Sequence, residues 1–278
     1  MTHLELKIKA NHIRQGVVSS VHSAKAGHPG GSLSCTDVLT YLYFAELNVD
    51  PADPKKADRD RFVLSKGHCA PALYATLAER GFFPKEDLLT LRKVGSYLQG
   101  HPDMKHIPGV DMSSGSLGQG ISTAVGMAIS AKLSGESYRV YTVLGDGEIQ
   151  EGQVWEAAML AAHRNLDNLV VIVDNNGLQI DGSIADVCSP YPIVDKFKAF
   201  NFNVIEIDGH DFAQIEAAFA AAKEAKGQPT AIISKSVKGK GVSFMEGKAS
   251  WHGVAPNDEQ YEIAMNELTK EESELCLK

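Results

Sequence analysis

Residues 140–181, VYTVLGDGEIQEGQVWEAAMLAAHRNLDNLVVIVDNNGLQID, decide the fold. The stretch holds two apolar, β-branched runs, each ending in a turn of Gly, Asp and Asn, with a helical segment between them. The first run stops at Gly145-Asp146-Gly147 and the second at Asp174-Asn175-Asn176-Gly177. In an open parallel sheet, ligands bind in the crevice beyond the carboxyl ends of the strands. Two acidic or amide turns facing one crevice point to a cation. A cation there points to phosphate, because Mg²⁺ takes one or two protein oxygens and completes its shell with phosphate oxygens and water. Singly, each turn is also what Asp, Asn and Gly form anywhere, so the case rests on their pairing and surroundings.

Outward from this stretch the alternation continues. Residues 61–65 form a short apolar run that fits a buried strand delivering Lys66-Gly67-His68 to the same crevice. Residues 203–208 and 230–234 read as further strands, separated by an Ala-rich helix over 212–226. A surface helix is predicted over 4–24, where Leu4, Ile8, Ile13, Val17, Val18 and Val21 recur at near-helical spacing. Further helices are predicted over 34–46, 71–80, 85–93 and 118–134, the last with Gly and Ala that permit close approach to a neighbouring sheet or subunit. Gly27-His28-Pro29-Gly30-Gly31 should end the first helix. Residues 48–60 read as a solvated loop and the irregular run 98–116 as a binding loop. The pattern predicts an α/β fold: a doubly wound, mainly parallel sheet with helices on both faces, in a single domain of residues 1–278 with a charged helical tail over about 257–278.

Composition narrows the class. With 44% hydrophobic and 22% charged residues, the 278-residue chain is an ordinary globular enzyme in make-up. A net charge of −8 and a pI near 5.7 argue against nucleic acid or an anionic membrane as main partner. The N-terminus lacks the apolar core of a secretory signal, and no window is apolar enough to span a membrane, so a cytoplasmic location is expected. Cys35, Cys69, Cys188 and Cys276 show no metal spacing and read as reduced thiols, mostly core filler.

Four histidines share a context: His28, His68, His101 and His252 each lie beside Gly in a predicted loop (GHPGG, KGH, GHPD, WHG). Imidazoles gathered on one crevice suit proton transfer and hydrogen bonding to a hydroxyl-rich substrate. Gly115-Ser116-Leu117-Gly118-Gln119-Gly120 opens a helix, where backbone N–H groups favour anions, although its glycines do not match a dinucleotide fingerprint. Lys238 and Lys240 make a basic loop after the last strand, either a solvated charge pair or a phosphate contact.

Together these segments resemble the transketolase family. The GDG turn followed about thirty residues later by an Asn-bearing turn is similar to the thiamine diphosphate motif, and AGHPGG, DRFVLSKGH, QGHPD and SGSLGQG resemble transketolase loops, in order, over about residues 10–256. The resemblance implies a thiamine diphosphate-binding domain of the diphosphate-binding (PP) type. It implies Asp146, Asn176 and the Leu178 carbonyl as ligands of Mg²⁺ or another divalent cation such as Ca²⁺ or Mn²⁺, with Asn175 as the less favoured neighbour. Gly115, Ser116, Leu117 and Gly147 would lie along the cofactor, and His68 and Lys238 would approach its diphosphate. His28, His101 and His252 would line the substrate channel, and Glu151 would join an acidic network linking paired active sites. For His252 the match is to the branch with Trp251-His252-Gly253, since Ala249 stands where other members have a second His.

The resemblance extends only to the diphosphate-binding half, so the expectation is the N-terminal subunit of a split transketolase. It would pair with a separate C-terminal subunit carrying the pyrimidine-binding domain, as α2β2, and transfer a two-carbon ketol unit from a ketose phosphate to an aldose acceptor. An α-type subunit of a 2-oxo acid dehydrogenase fits less well, because decarboxylating an oxo acid needs no polyol-binding histidines. A non-catalytic regulatory paralogue fits less well too, because the metal and histidine positions are all present.

Overall fold

The computed structural model describes residues 1–277; Lys278, the last residue of the expected tail, lies outside them. The chain begins with helix α1 (His3–Ala24), whose first turn is closed by a capping box between Thr2 and Glu5. Two short helices follow, α2 (Pro29–Ser34) and α3 (Thr36–Tyr41), and α3 runs into a π-turn over Leu42–Glu46. Strand β1 (Arg61–Leu64) leads through a 3₁₀ turn to α4 (Ala70–Arg80). Then come α5 (Gln119–Ser134), β2 (Val140–Gly145), α6 (Gly152–His163) and β3 (Leu169–Asn175). A small hairpin, β4 (Leu178–Gln179) and β5 (Gly182–Ser183), precedes α7 (Ile184–Cys188) and α8 (Ile193–Ala199). The remainder is β6 (Asn203–Asp208), α9 (Phe212–Glu224), β7 (Thr230–Lys235) and α10 (Asp258–Cys276).

Five strands form one wholly parallel sheet in the order β1-β2-β3-β7-β6, so the chain passes from β3 to the far edge and returns to fill the gap with β7. The registers place Leu64 beside Val143, Gly145 beside Asp174, and Asp174 beside Ser234, which brings four strand ends to one crevice. Side chains alternate between two cores, as the period of two requires. Phe62, Leu64, Tyr141, Val143, Val170, Ile172 and Ile232 face α1, α3, α4 and α9, while Val63, Leu144, Val171, Val173, Ala231 and Ile233 face α5, α6 and α8. Helices thus cover both faces of a doubly wound α/β sheet.

Several local expectations change. Helix α1 is not a surface helix: Ala10, Asn11, Ile13, Arg14, Val17 and Val18 are buried, because α4 and α10 close over faces that the apolar spacing alone left to solvent. Pro29 does not merely stop a helix; it occupies the start of α2, where a missing N–H costs nothing. The expected helix over 34–46 is three pieces, ending where the Leu47 N–H reaches back to the Leu42 carbonyl at 2.8 Å. Residues 85–90 are likewise a 3₁₀ segment rather than an α-helix. Of the four thiols expected to be mostly core filler, Cys35 and Cys69 are buried and Cys188 and Cys276 are exposed.

Candidate cofactor site

The turn after β2 is held by its own carboxylate. Asp146 accepts the Gly147 N–H at 2.9 Å and, across to the next strand end, the Gly177 N–H at 2.6 Å. The two turns that the sequence singled out are therefore stitched together. Burial raises the Asp146 carboxyl to about 6, and the nearby Asp174 carboxylate adds to the rise against the two amide hydrogen bonds. A buried carboxylate in that state gains from a cation. Asn176 lies on the same turn: its carbonyl oxygen accepts the Leu178 N–H at 3.1 Å and its amide donates to Asp174. The Asn175 amide oxygen accepts in its turn from the Tyr191 hydroxyl at 3.0 Å.

A cavity of about 340 Å³ opens over these turns, lined among others by His68, Leu117, Asp146, Gly147, Glu151, Asn176, Leu178, Lys238 and His252. Lys238, only 2% exposed, donates to the Leu178 carbonyl at 3.2 Å and to His252 Nδ1 at 3.0 Å. A cation thus already stands at one of the expected metal ligands. Burial lowers the Lys238 ammonium from its ordinary value. Among the described residues no group of three or more His, Cys, Asp or Glu side chains is arranged to hold a metal. A divalent cation here would draw on the Asp146 carboxylate, the Asn176 amide oxygen and the Leu178 carbonyl, a hard-oxygen set that leaves room for the ligand's own phosphate oxygens. The residues present fit that group.

Three histidines meet at the rim. The rings of His28 and His68 lie 5.1 Å apart, His68 and His252 5.2 Å, and His28 and His252 5.5 Å, centroid to centroid. Burial is the main cause that pushes them down, His28 and His68 to about 4 and His252 to about 3, with His68 adding for His28, Lys66 for His68 and Lys238 for His252. All three are neutral at physiological pH, the state in which an imidazole can both give and take a hydrogen bond. His28 Nδ1 is buried without a hydrogen-bond partner, as a group awaiting a ligand would be.

His101 is placed differently. It is exposed, its ring packed on Gly115, where a Cβ would come within 3.0 Å of it. Its own proton affinity is lowered by burial and by Arg92. Gly115 and Ser116 line an adjoining cleft of about 240 Å³ rather than the main cavity, and only Leu117 of that trio borders the latter. Glu151 sits exposed at the cavity mouth as N-cap of α6.

Three buried residues hold the site together, and the sequence reading gave none of them that role. Glu148 accepts from the Ser65 hydroxyl, from the Gly118 N–H at 2.9 Å and from the Gly145 N–H at 3.0 Å, tying β1, the start of α5 and the GDG turn into one unit. Lys66 pairs with Asp174, which also accepts from the hydroxyls of Ser34 and Ser236. Burial opposes both charges, but each partner outweighs it, holding Asp174 below and Lys66 well above its ordinary value. The available signal was position: a Glu two residues past a strand-end Asp, and a Lys and an Asp directly at strand ends.

Known proteins resemble the chain over nearly its whole length. Residues 6–274 match the family described as transketolase, thiamine diphosphate binding domain. The chain is 46% identical over 268 residues to the 6-deoxy-6-sulfo-D-fructose transketolase subunit SqwG of Clostridium sp. (strain MSTE9), covering 96% of this chain and 98% of that one. It is 46% identical over 267 residues to an apulose-4-phosphate transketolase subunit of Phocaeicola vulgatus, covering 96% and 94%. The crystal structure of transketolase from Campylobacter jejuni superposes with a TM-score of 0.91 at 33% identity, over 97% of this chain but only 43% of that one.

Proposed function

The chain belongs to the transketolase thiamine diphosphate-binding domain family, and from that premise we propose that it is the N-terminal subunit of a two-chain transketolase. With a separate C-terminal subunit that supplies the pyrimidine-binding domain, as α2β2, it transfers a two-carbon ketol unit from a ketose phosphate to an aldose acceptor. Two relatives of matching length are named as transketolase subunits, which supports the two-chain reading. In this reading residues 1–278 are one domain, and the sugar phosphate substrates put the enzyme in the cytoplasm. Among the described residues no helix is long and apolar enough to cross a membrane.

The observation that carries the proposal is the meeting of the His28–His68–His252 triangle, through His68 and His252, with the stitched Asp146 and Asn176 turns at one cavity. When bound, thiamine diphosphate supplies the nucleophilic carbon and the electron sink for breaking a carbon–carbon bond beside a carbonyl. The chain's own residues do the rest. Asp146, Asn176 and the Leu178 carbonyl would hold the cation, Lys238 and His68 would meet the diphosphate, and Gly147 and Leu117 would lie along the cofactor, with Gly115 and Ser116 in the adjoining cleft. Neutral His28 and His252, with His101 at the mouth, bind substrate hydroxyls and move their protons. Glu151 faces the second half of the assembly. No specific observation favours the 2-oxo acid dehydrogenase or the non-catalytic reading.

The test mixes the purified chain with a pyrimidine-domain subunit, thiamine diphosphate, Mg²⁺, a ketose phosphate and an aldose phosphate, and follows products by mass spectrometry. Turnover should need both chains and vanish with Asp146→Ala. A sulfonated ketose, the class named for the Clostridium relative, serves as a second donor. Ketol transfer by this chain alone would refute the split assembly; retained cofactor affinity in Asp146→Ala would refute the metal set.

A further inference from the structure

Behind the cavity, the loop over 236–241 that carries Lys238 is gripped by a histidine with no assigned role. Asp208-Gly209-His210 turns sharply after β6, and Gly209 lies so close to β7 that a Cβ there would fall 2.2 Å from the Ser234 hydroxyl. The turn sets the His210 ring between two elements. Its Nε2 lies 2.9 Å from the Val237 amide nitrogen and its Nδ1 2.7 Å from an Asp37 oxygen. A backbone N–H can only donate, so Nε2 is the acceptor and the ring proton sits on Nδ1, facing Asp37. Asp37 is buried and shares the same oxygen with Arg14, which in turn donates from Nε to the Lys240 carbonyl at 3.2 Å. Burial would raise the Asp37 carboxyl, but the Arg14 charge and the His210 hydrogen bond outweigh it and hold it below its ordinary value.

We propose that His210 is a positioning residue: oriented by Asp37, it fixes the Val237 amide and thereby places the Lys238 ammonium in the cavity. Val237 directly precedes Lys238. Although the loop is also tied by Ser236 to Asp174, by the Gly239 N–H to the Gly30 carbonyl at 2.9 Å, by the Gly247 N–H to the Lys238 carbonyl at 2.9 Å, by the Lys240 carbonyl to Arg14 and by the Gly241 N–H to Glu246, His210 alone takes the Val237 N–H. Losing the His210 contact frees the loop at the peptide next to the lysine. This inference rests on the reading of Lys238 as a diphosphate contact.

His210→Asn and His210→Gln in the full chain separate the roles. Asn keeps a donor for Asp37 but is too short to reach Val237; Gln offers both the donor and an oxygen for the Val237 N–H. Two quantities are measured: hydrogen exchange at the Gly239 and Gly247 amides, and calorimetric affinity for inorganic pyrophosphate with Mg²⁺. In His210→Asn both amides should exchange about three- to tenfold faster and pyrophosphate should bind about three- to tenfold more weakly, the worth of one buried hydrogen bond, with Gln restoring both. Wild-type exchange at both glycines in His210→Asn, or failure of Gln to restore it, would overturn the proposal. If the wild type itself does not bind pyrophosphate, the diphosphate role of Lys238 falls, and the exchange comparison alone decides whether His210 positions the loop.

Discussion

The Lys66 ammonium donates to the Asp174 carboxylate across 2.6 Å, with both side chains 2% exposed. Removing one partner leaves the other charge buried and uncompensated, which costs more than the pair contributes. Lys66→Met should therefore lose about 3–5 kcal/mol in urea unfolding. The double variant with Asp174→Leu should recover part of that loss; strict additivity would disprove the coupling.

Gly30 approaches its neighbours closely beside the site. A Cβ there would stand 2.7 Å from the Trp251 carbonyl oxygen and 3.1 Å from Lys238 Cγ. Gly30→Ala should cost about 1–3 kcal/mol by overpacking and weaken cofactor binding by shifting Lys238 and His252. Gly152, whose Cβ would meet nothing within 4 Å, is the control: Gly152→Ala should be neutral to slightly stabilising in the same denaturation and binding measurements.

His68 gives the fold a dependence on acid. Burial, then the Lys66 charge, lowers it from 6.5 to about 4. Between those values the unfolded chain takes the proton more readily than the folded one, so the stability it has above pH 6.5 is lost progressively as pH falls towards 4. The stability difference between wild type and the non-titrating His68→Asn should move against the wild type from pH 7 to pH 4.5. A difference independent of pH, read from denaturation midpoints, would contradict the assignment.

His252→Phe keeps a ring but removes both nitrogens and the acceptor for Lys238. In the reconstituted enzyme kcat should fall about 10²–10⁴-fold, the usual contribution of a general acid–base group. The unfolding midpoint should stay near that of the wild type. A fall confined to KM would instead make His252 a binding residue.

Much of the site was legible because its signals are local. GDG and DNNG sit at the ends of apolar runs, and the Gly-flanked histidines mark themselves. What stayed hidden depends on meetings between distant segments. Glu148 reads as one more charge after a turn until Ser65 and Gly118 arrive beside it. Helix α1 looked half-solvated because Asn11 and Arg14 break its apolar stripe; both are buried, Asn11 donating to the Leu268 carbonyl and Arg14 to Asp37. The cleft that separates Gly115 and Ser116 from the main cavity likewise depends on where α5 docks, which no motif encodes.

The four-way junction at Asp174 also sets when the site can exist. Its partners Ser34, Lys66 and Ser236 lie 140, 108 and 62 residues away in the chain, and Ser236 follows β7, the last strand in the chain, which lies between β3 and β6. Closing such long loops is the slow, entropically costly part of acquiring a parallel sheet. A ribosome-bound chain that has released only β1, β2 and β3 carries the Asp146 and Asn176 turns but lacks the strand beside them. The complete junction can therefore form only after β7 and the residues beyond it have emerged.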